Sequence, residues 1–190
     1  MDSVLPLVTG VLFKIIDEME DVGYPQFNEY RDYILTLTTI CTTLVLYNDV
    51  NVSAACLLIL IPACFVLDQV DVTYWKTLLI LPVITFLLKA SQFDFYEFFK
   101  HTPVMLFAFV VIYIEGVYIT EETSLRKTIS RVISILFSIA VIYFADMLPF
   151  SQFVYTAMYS SIGYCITSIA FKTFLTPAPK EEAPPVAEKN

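Results

Sequence analysis

Long apolar runs dominate this chain and leave it few ways to fold. The clearest are 52–67, 74–88, 103–119, 128–145 and 150–171. A run of about 17–25 mostly apolar residues crosses a bilayer core as a helix. Backbone in hydrocarbon must satisfy its own hydrogen bonds, which leaves helices or closed barrels. A barrel strand alternates apolar and polar residues, and these runs do not alternate. The sequence therefore predicts an all-α, polytopic transmembrane helix bundle. A mean hydropathy of +0.70 agrees with that class.

Seven segments are expected, at 3–16, 33–47, 52–67, 72–88, 103–119, 128–145 and 150–171. Pro6 and Gly10 interrupt the first, so the alternative is six spanning helices with an N-terminal helix lying in the interface. Asp2 stands where a signal peptide needs positive charge, and no small-x-small cleavage site follows, so cleavage is not expected. Residues 1–175 read as the transmembrane helical domain. The Pro-, Glu- and Lys-rich tail, 176–190, reads as disordered. Asn48-Asp49-Val50-Asn51 reads as a tight turn. Residues 89–102 mix phenylalanines with charges in the manner of an amphipathic interfacial stretch. The short links predict antiparallel neighbours.

Orientation follows from the basic residues. Lys14, Arg31, Lys76, Arg126, Lys127, Arg131, Lys172, Lys180 and Lys189 fall on one face, and only Lys89 and Lys100 on the other. Positive residues concentrate on the cytoplasmic side, so the C-terminus is expected there. The Asn51-Val52-Ser53 sequon then lies outside, too close to the membrane for modification. Segments at the short end of the spanning range suit a thin internal membrane such as the endoplasmic reticulum.

Several functions are disfavoured. A net charge of −8 with no basic cluster argues against nucleic acid. Cys41, Cys56, Cys64 and Cys165 form no CxxC pair and read as small buried hydrophobes. The single histidine, His101, cannot supply a histidine-box metal site. Glycines at 10, 23, 116 and 163 are too scattered for a phosphate loop.

The acidic residues carry the sharper expectations. Asp17 and Asp21 are four apart, and Asp68 and Asp71 three apart, so each pair shares a helix face. Both pairs belong to the cytoplasmic boundary in this threading. Clustered carboxylates repel unless a cation lies between them, and oxygen-only sites suit Mg²⁺ or Ca²⁺. The four are the candidate metal ligands, against a reading as solvated loop acids. The layout, KxxDxxxD from Lys14 to Asp21 and DxxD from Asp68 to Asp71, partly resembles the two Asp-rich motifs of UbiA-type intramembrane prenyltransferases. It departs from them in lacking the Asn of the first motif and one residue of the second. The resemblance implies a Mg²⁺-held prenyl diphosphate.

Glu115 lies inside the fifth segment, where an ionisable group marks function or a buried partner. Arg131 stands at matching depth across a short hairpin, so an intramembrane Glu115–Arg131 ion pair is expected. Thr36, Thr38, Thr39, Thr42 and Thr43 are expected to bond back to carbonyls one turn earlier. Ala157, Ser161, Cys165 and Ser168 read as a small-residue packing stripe.

The leading expectation is a small multi-pass integral membrane protein with a binding or structural role. The bilayer is its partner, and its acidic cytoplasmic rim offers a divalent-cation site. The alternatives are a Mg²⁺-dependent lipid or prenyl-diphosphate enzyme, and a channel or transporter using Glu115. The sequence compels no cofactor; Mg²⁺ or Ca²⁺ is what the rim would take.

Overall fold

The structure, a computed structural model, describes residues 3–21, 25–61, 79–96, 98–100, 124–145 and 152–175. Among these residues every regular element is helical. Helix α1 (Val4–Asp21) leads through a 3₁₀ turn (Pro25–Tyr30) into α2 (Arg31–Asn48). Helix α3 (Val50–Ala55) runs on through a π-helical turn (Cys56–Leu60). Helix α4 (Ile80–Lys89) closes in a 3₁₀ turn (Ala90–Gln92), and α5 (Ser124–Ala145) and α6 (Gln152–Phe174) complete the set.

Helix α1 is longer than its apolar run. Pro6 falls in the first turn, where no intrahelical donor is lost. Beyond residue 16 the helix continues because Lys14 bridges to Asp17 and Glu18, one turn ahead on the same face.

Helix α6 is central, with α1 and α5 packed against it. Helix α2 packs on α1, and α4 on α2 and α3. Along α1 and α6, contacts rise together from Pro6–Ser160 to Asp17–Tyr164, so the two run in the same sense. Helices α5 and α6 run oppositely, since Arg131 meets Tyr164 while Phe137 and Val141 join the Val154 and Met158 cluster. Their short connection predicts that. Ala54, Ala55 and Phe98 complete this apolar cluster, where α3 meets α6.

The α2–α3 link departs from expectation. Asp49 alone leaves helical geometry (φ −139°, ψ 107°), and the flanking helices bend by 108° and do not fold back antiparallel. Ser53 Oγ reaches back to Leu46 O at 3.1 Å and meets Thr85 Oγ1 at 2.8 Å, so α4 holds the bend open.

Among the described residues no single helix is long and apolar enough to cross a membrane. Phe27–Asn48 and Val50–Leu58 meet that test only together, as the bent pair. The expected span 103–119 lies outside the described residues, and 52–67 and 72–88 lie only partly within them.

Helix α5 has an inverted surface. Ser130, Ser134 and Ser138 repeat every four residues and are buried. Ile129, Val132, Ile133, Leu136, Ile139 and Tyr143 point outward. Leu136 is 61% exposed while Ser138 is 0%.

Candidate functional site

Among the described residues, the densest charged chemistry sits where α1, α5 and α6 meet. Two glycines make the approach. A Cβ on Gly10 would lie 1.9 Å from Ser160 O, and one on Gly163 would lie 2.1 Å from Leu7 O. With no side chain at either point the backbones touch, and Ser160 Oγ donates to Pro6 O at 3.0 Å.

One turn beyond this crossing, Lys14 Nζ bonds Asp17 Oδ2 at 2.6 Å and Glu18 Oε1 at 2.8 Å. Their side chains are 10%, 18% and 11% exposed. Tyr164 OH, from α6, donates to the same Asp17 Oδ2 at 3.0 Å. Lys14 Nζ lies 5.1 Å from the Tyr164 ring centroid, and the Arg131 guanidinium of α5 lies 5.5 Å from it. Lys14 thus holds both carboxylates, and it and Arg131 both lie over one aromatic ring. The arrangement ties three helices together.

The expected site residues are placed unevenly. Asp17 is in this cluster, its Oδ2 serving two donors. The Asp21 side chain, and Asp68 and Asp71 entirely, lie outside the described residues, as does Glu115. Arg131 faces Tyr164. Thr38, Thr39 and Thr43 bond back to the carbonyls of Ile34, Leu35 and Thr39, as expected. The Thr42 hydroxyl is buried and has no hydrogen-bond partner among the described residues. On α6 the closest approach to α1 falls at Ser160 and Gly163, beside the expected small-residue stripe. Tyr164, Glu18 and the α5 serines were not singled out by the sequence. The four-residue spacing of Ser130, Ser134 and Ser138 was the available signal.

A second polar locus is the α2–α3 break. The Asn51 amide N–H donates to Asp49 Oδ1 at 2.9 Å, and the Val52 N–H to Asp49 O at 3.1 Å. Asp49 Oδ2 and Asn51 Oδ1 are buried with no hydrogen-bond partner among the described residues. Burial pushes the Asp49 carboxyl above the usual carboxylate range, and the hydrogen bonds from Asn51 and Val52 offset part of that. Among the described residues, no group of three or more His, Cys, Asp or Glu could hold a metal ion.

Compared with known protein families, with curated proteins and with solved structures, the chain matches none.

Proposed function

We propose that this chain is a small multi-pass integral membrane protein with a binding or structural role, its apolar faces turned to lipid. The observation that carries this reading is the inverted surface of α5, with serines inside and large aliphatic side chains outside. A helix in water does the reverse, because exposing an apolar face there is unfavourable. In hydrocarbon that cost vanishes. Small hydroxyl residues then make the best interhelical face, because they let backbones approach and bond one another. The outward Leu37, Ile40 and Leu44 of α2, and Ile84, Leu87 and Leu88 of α4, extend the same pattern.

We keep seven segments, with six and an interfacial N-terminal helix as the alternative; α1 runs in the same sense as α6. The Lys/Arg bias assigns the C-terminus to the cytoplasm. Within this reading the Lys14–Asp17–Glu18–Tyr164 cluster is an internal clasp near the cytoplasmic boundary. A divalent ion at Asp17 would compete with Lys14 for the same carboxylate. Its signature would be Mg²⁺- or Ca²⁺-dependent stabilisation that Asp17→Asn abolishes.

The test uses Leu136→Trp in a Trp75→Phe background, which leaves one indole, since Trp75 is the only native one. The protein should stay in the membrane fraction through alkaline carbonate extraction. Fluorescence of the introduced indole should be quenched by brominated acyl chains and protected from aqueous iodide. Release by carbonate together with iodide quenching would overturn the proposal.

A further inference from the structure

We infer that the break between α2 and α3 binds one hard monovalent cation, held by the Asp49 carboxylate, the Asn51 side-chain oxygen and the free carbonyl end of α2. The carbonyl end of α2, the Asp49 carboxylate and the Asn51 side-chain oxygen all belong to this break, and Asp49 also caps the amide end of α3 through Oδ1. Helix α2 stops at Asn48, so its last carbonyls lack the amide donors of a continuing helix, and the aligned peptides place partial negative charge at that end. One of these, Leu46 O, lies 3.1 Å from the Ser53 hydroxyl. Asp49 follows at once and is 8% exposed. Its Oδ1 accepts from the Asn51 N–H, while its Oδ2 and the Asn51 Oδ1 are buried and complete no hydrogen bond among the described residues.

Buried polar atoms without partners are few in folded proteins, and each needs an explanation. Lys89 is the cation that packs on this end of α2, yet its Nζ lies 4.0 Å from the Tyr47 ring centroid. Among the described residues it makes no ion pair with Asp49. A bound cation would satisfy both side-chain oxygens and the helix end together. Oxygen-only ligation selects a hard ion. A single carboxylate among neutral oxygens neutralises one charge, which points to Na⁺ or K⁺ and away from Mg²⁺ or Ca²⁺. Interrupted helices bind such ions through the carbonyl ends of their halves.

The site is also preorganised. Ser53, fully buried, lies 3.1 Å from Leu46 O and 2.8 Å from Thr85 Oγ1, and Thr85 Oγ1 lies 2.8 Å from Leu81 O, so two hydroxyl protons are shared among three contacts that link α2, α3 and α4. The bend is therefore fixed from two helices whether or not an ion is present. The inference does not depend on the membrane assignment.

Thermal unfolding of the full-length chain in mild detergent tests it. NaCl, KCl, CaCl₂ and MgCl₂ replace choline chloride at constant ionic strength. Binding to the native state alone raises stability with ion concentration, about 100-fold in the unfolding equilibrium at 100 times Kd. The expected result is a saturable rise in Tm with Na⁺ or K⁺. Asp49→Asn should abolish it, and Asn51→Ala should move its midpoint to about 10-fold higher concentration, the equivalent of one lost ligand at about 1.4 kcal/mol. Asn51→Ala keeps the test decisive if Asp49→Asn fails to fold. Stabilisation by divalent ions alone, an unchanged ion response in either variant, or no response beyond choline would each overturn the assignment.

Discussion

Gly163→Ala sets two effects of opposite sign against each other. Helix propensity alone favours alanine over glycine by about 1 kcal/mol in a helix interior. The structure argues the other way. The new Cβ would stand 2.1 Å from Leu7 O and 3.1 Å from both Leu7 C and Val11 N, whereas ordinary contact begins at 3.4 Å. These are backbone atoms of a packed helix, so no side-chain rotation relieves the clash. Helices α1 and α6 would have to separate by roughly 1 Å, a gap that forfeits up to half the dispersion energy of each facing atom pair. The 3.0 Å bonds from Ser160 to Pro6 and from Tyr164 to Asp17 span the same interface and would stretch with it.

Overpacking typically costs about 1–3 kcal/mol, and backbone-on-backbone contact belongs at the top of that range. After the propensity gain, the expected net loss is about 2 kcal/mol. Gly10→Ala meets Ser160 O at 1.9 Å and should behave alike. One separation relieves both clashes, so the double variant should lose less than the sum. Reversible denaturation in detergent measures these differences. Ser161→Ala, half-buried on the same helix, serves as control and should stay within about 0.5 kcal/mol. A Gly163→Ala protein as stable as wild type, or more so, would refute the close crossing.

Other perturbations test the polar loci. Lys14→Met would leave Asp17 and Glu18 buried without their cation and should cost about 3–5 kcal/mol; a loss under about 1 kcal/mol would mean that solvent screens the cluster. Tyr164→Phe removes one hydrogen bond to a charged acceptor and should cost about 1.5–3 kcal/mol, with coupling to Asp17→Asn in a double-mutant cycle. Asp49 predicts a pH dependence whose sign follows from its raised folded-state value. The native state then holds the proton more tightly than the unfolded chain, so in cation-free choline buffer this group's contribution is full at acid pH. It is lost as pH climbs from the ordinary carboxylate range through the raised value. Asp49→Asn should flatten that slope, and an unchanged slope would show that another group causes it.

What the sequence revealed was local. Helical class follows from apolar run length, and the Thr38, Thr39 and Thr43 bonds from a carbonyl always found one turn back. Lys14 lies three residues before Asp17, so their pairing was within reach of the sequence. Tyr164 was not, being 147 residues from the carboxylate it serves. Asp49 looked like an ordinary turn residue because its burial comes from how the bend packs, with α4 pinned across it through Thr85 and Ser53.

The serines of α5 show the physical limit most clearly. A stripe repeating every four residues marks one face of a helix, and periodicity gives its position. Periodicity does not give its sign. In water a Ser130–Ser134–Ser138 stripe is the wet face, and the Ile133–Leu136 side is the core. In hydrocarbon the assignments exchange, because apolar contact with lipid costs nothing and small polar residues gain from facing one another. Packing orients the stripe. Here Ser138 is sealed and Leu136 open, with Phe137 and Val141 turned toward Val154 and Met158 of α6. In water such a helix would leave Ile133, Leu136 and Ile139 wet while burying Ser134 and Ser138 beside Phe137 and Val141, against the main driving force of folding. The orientation of α5 is therefore what supports the proposed membrane setting, and the length of the apolar runs could not supply it.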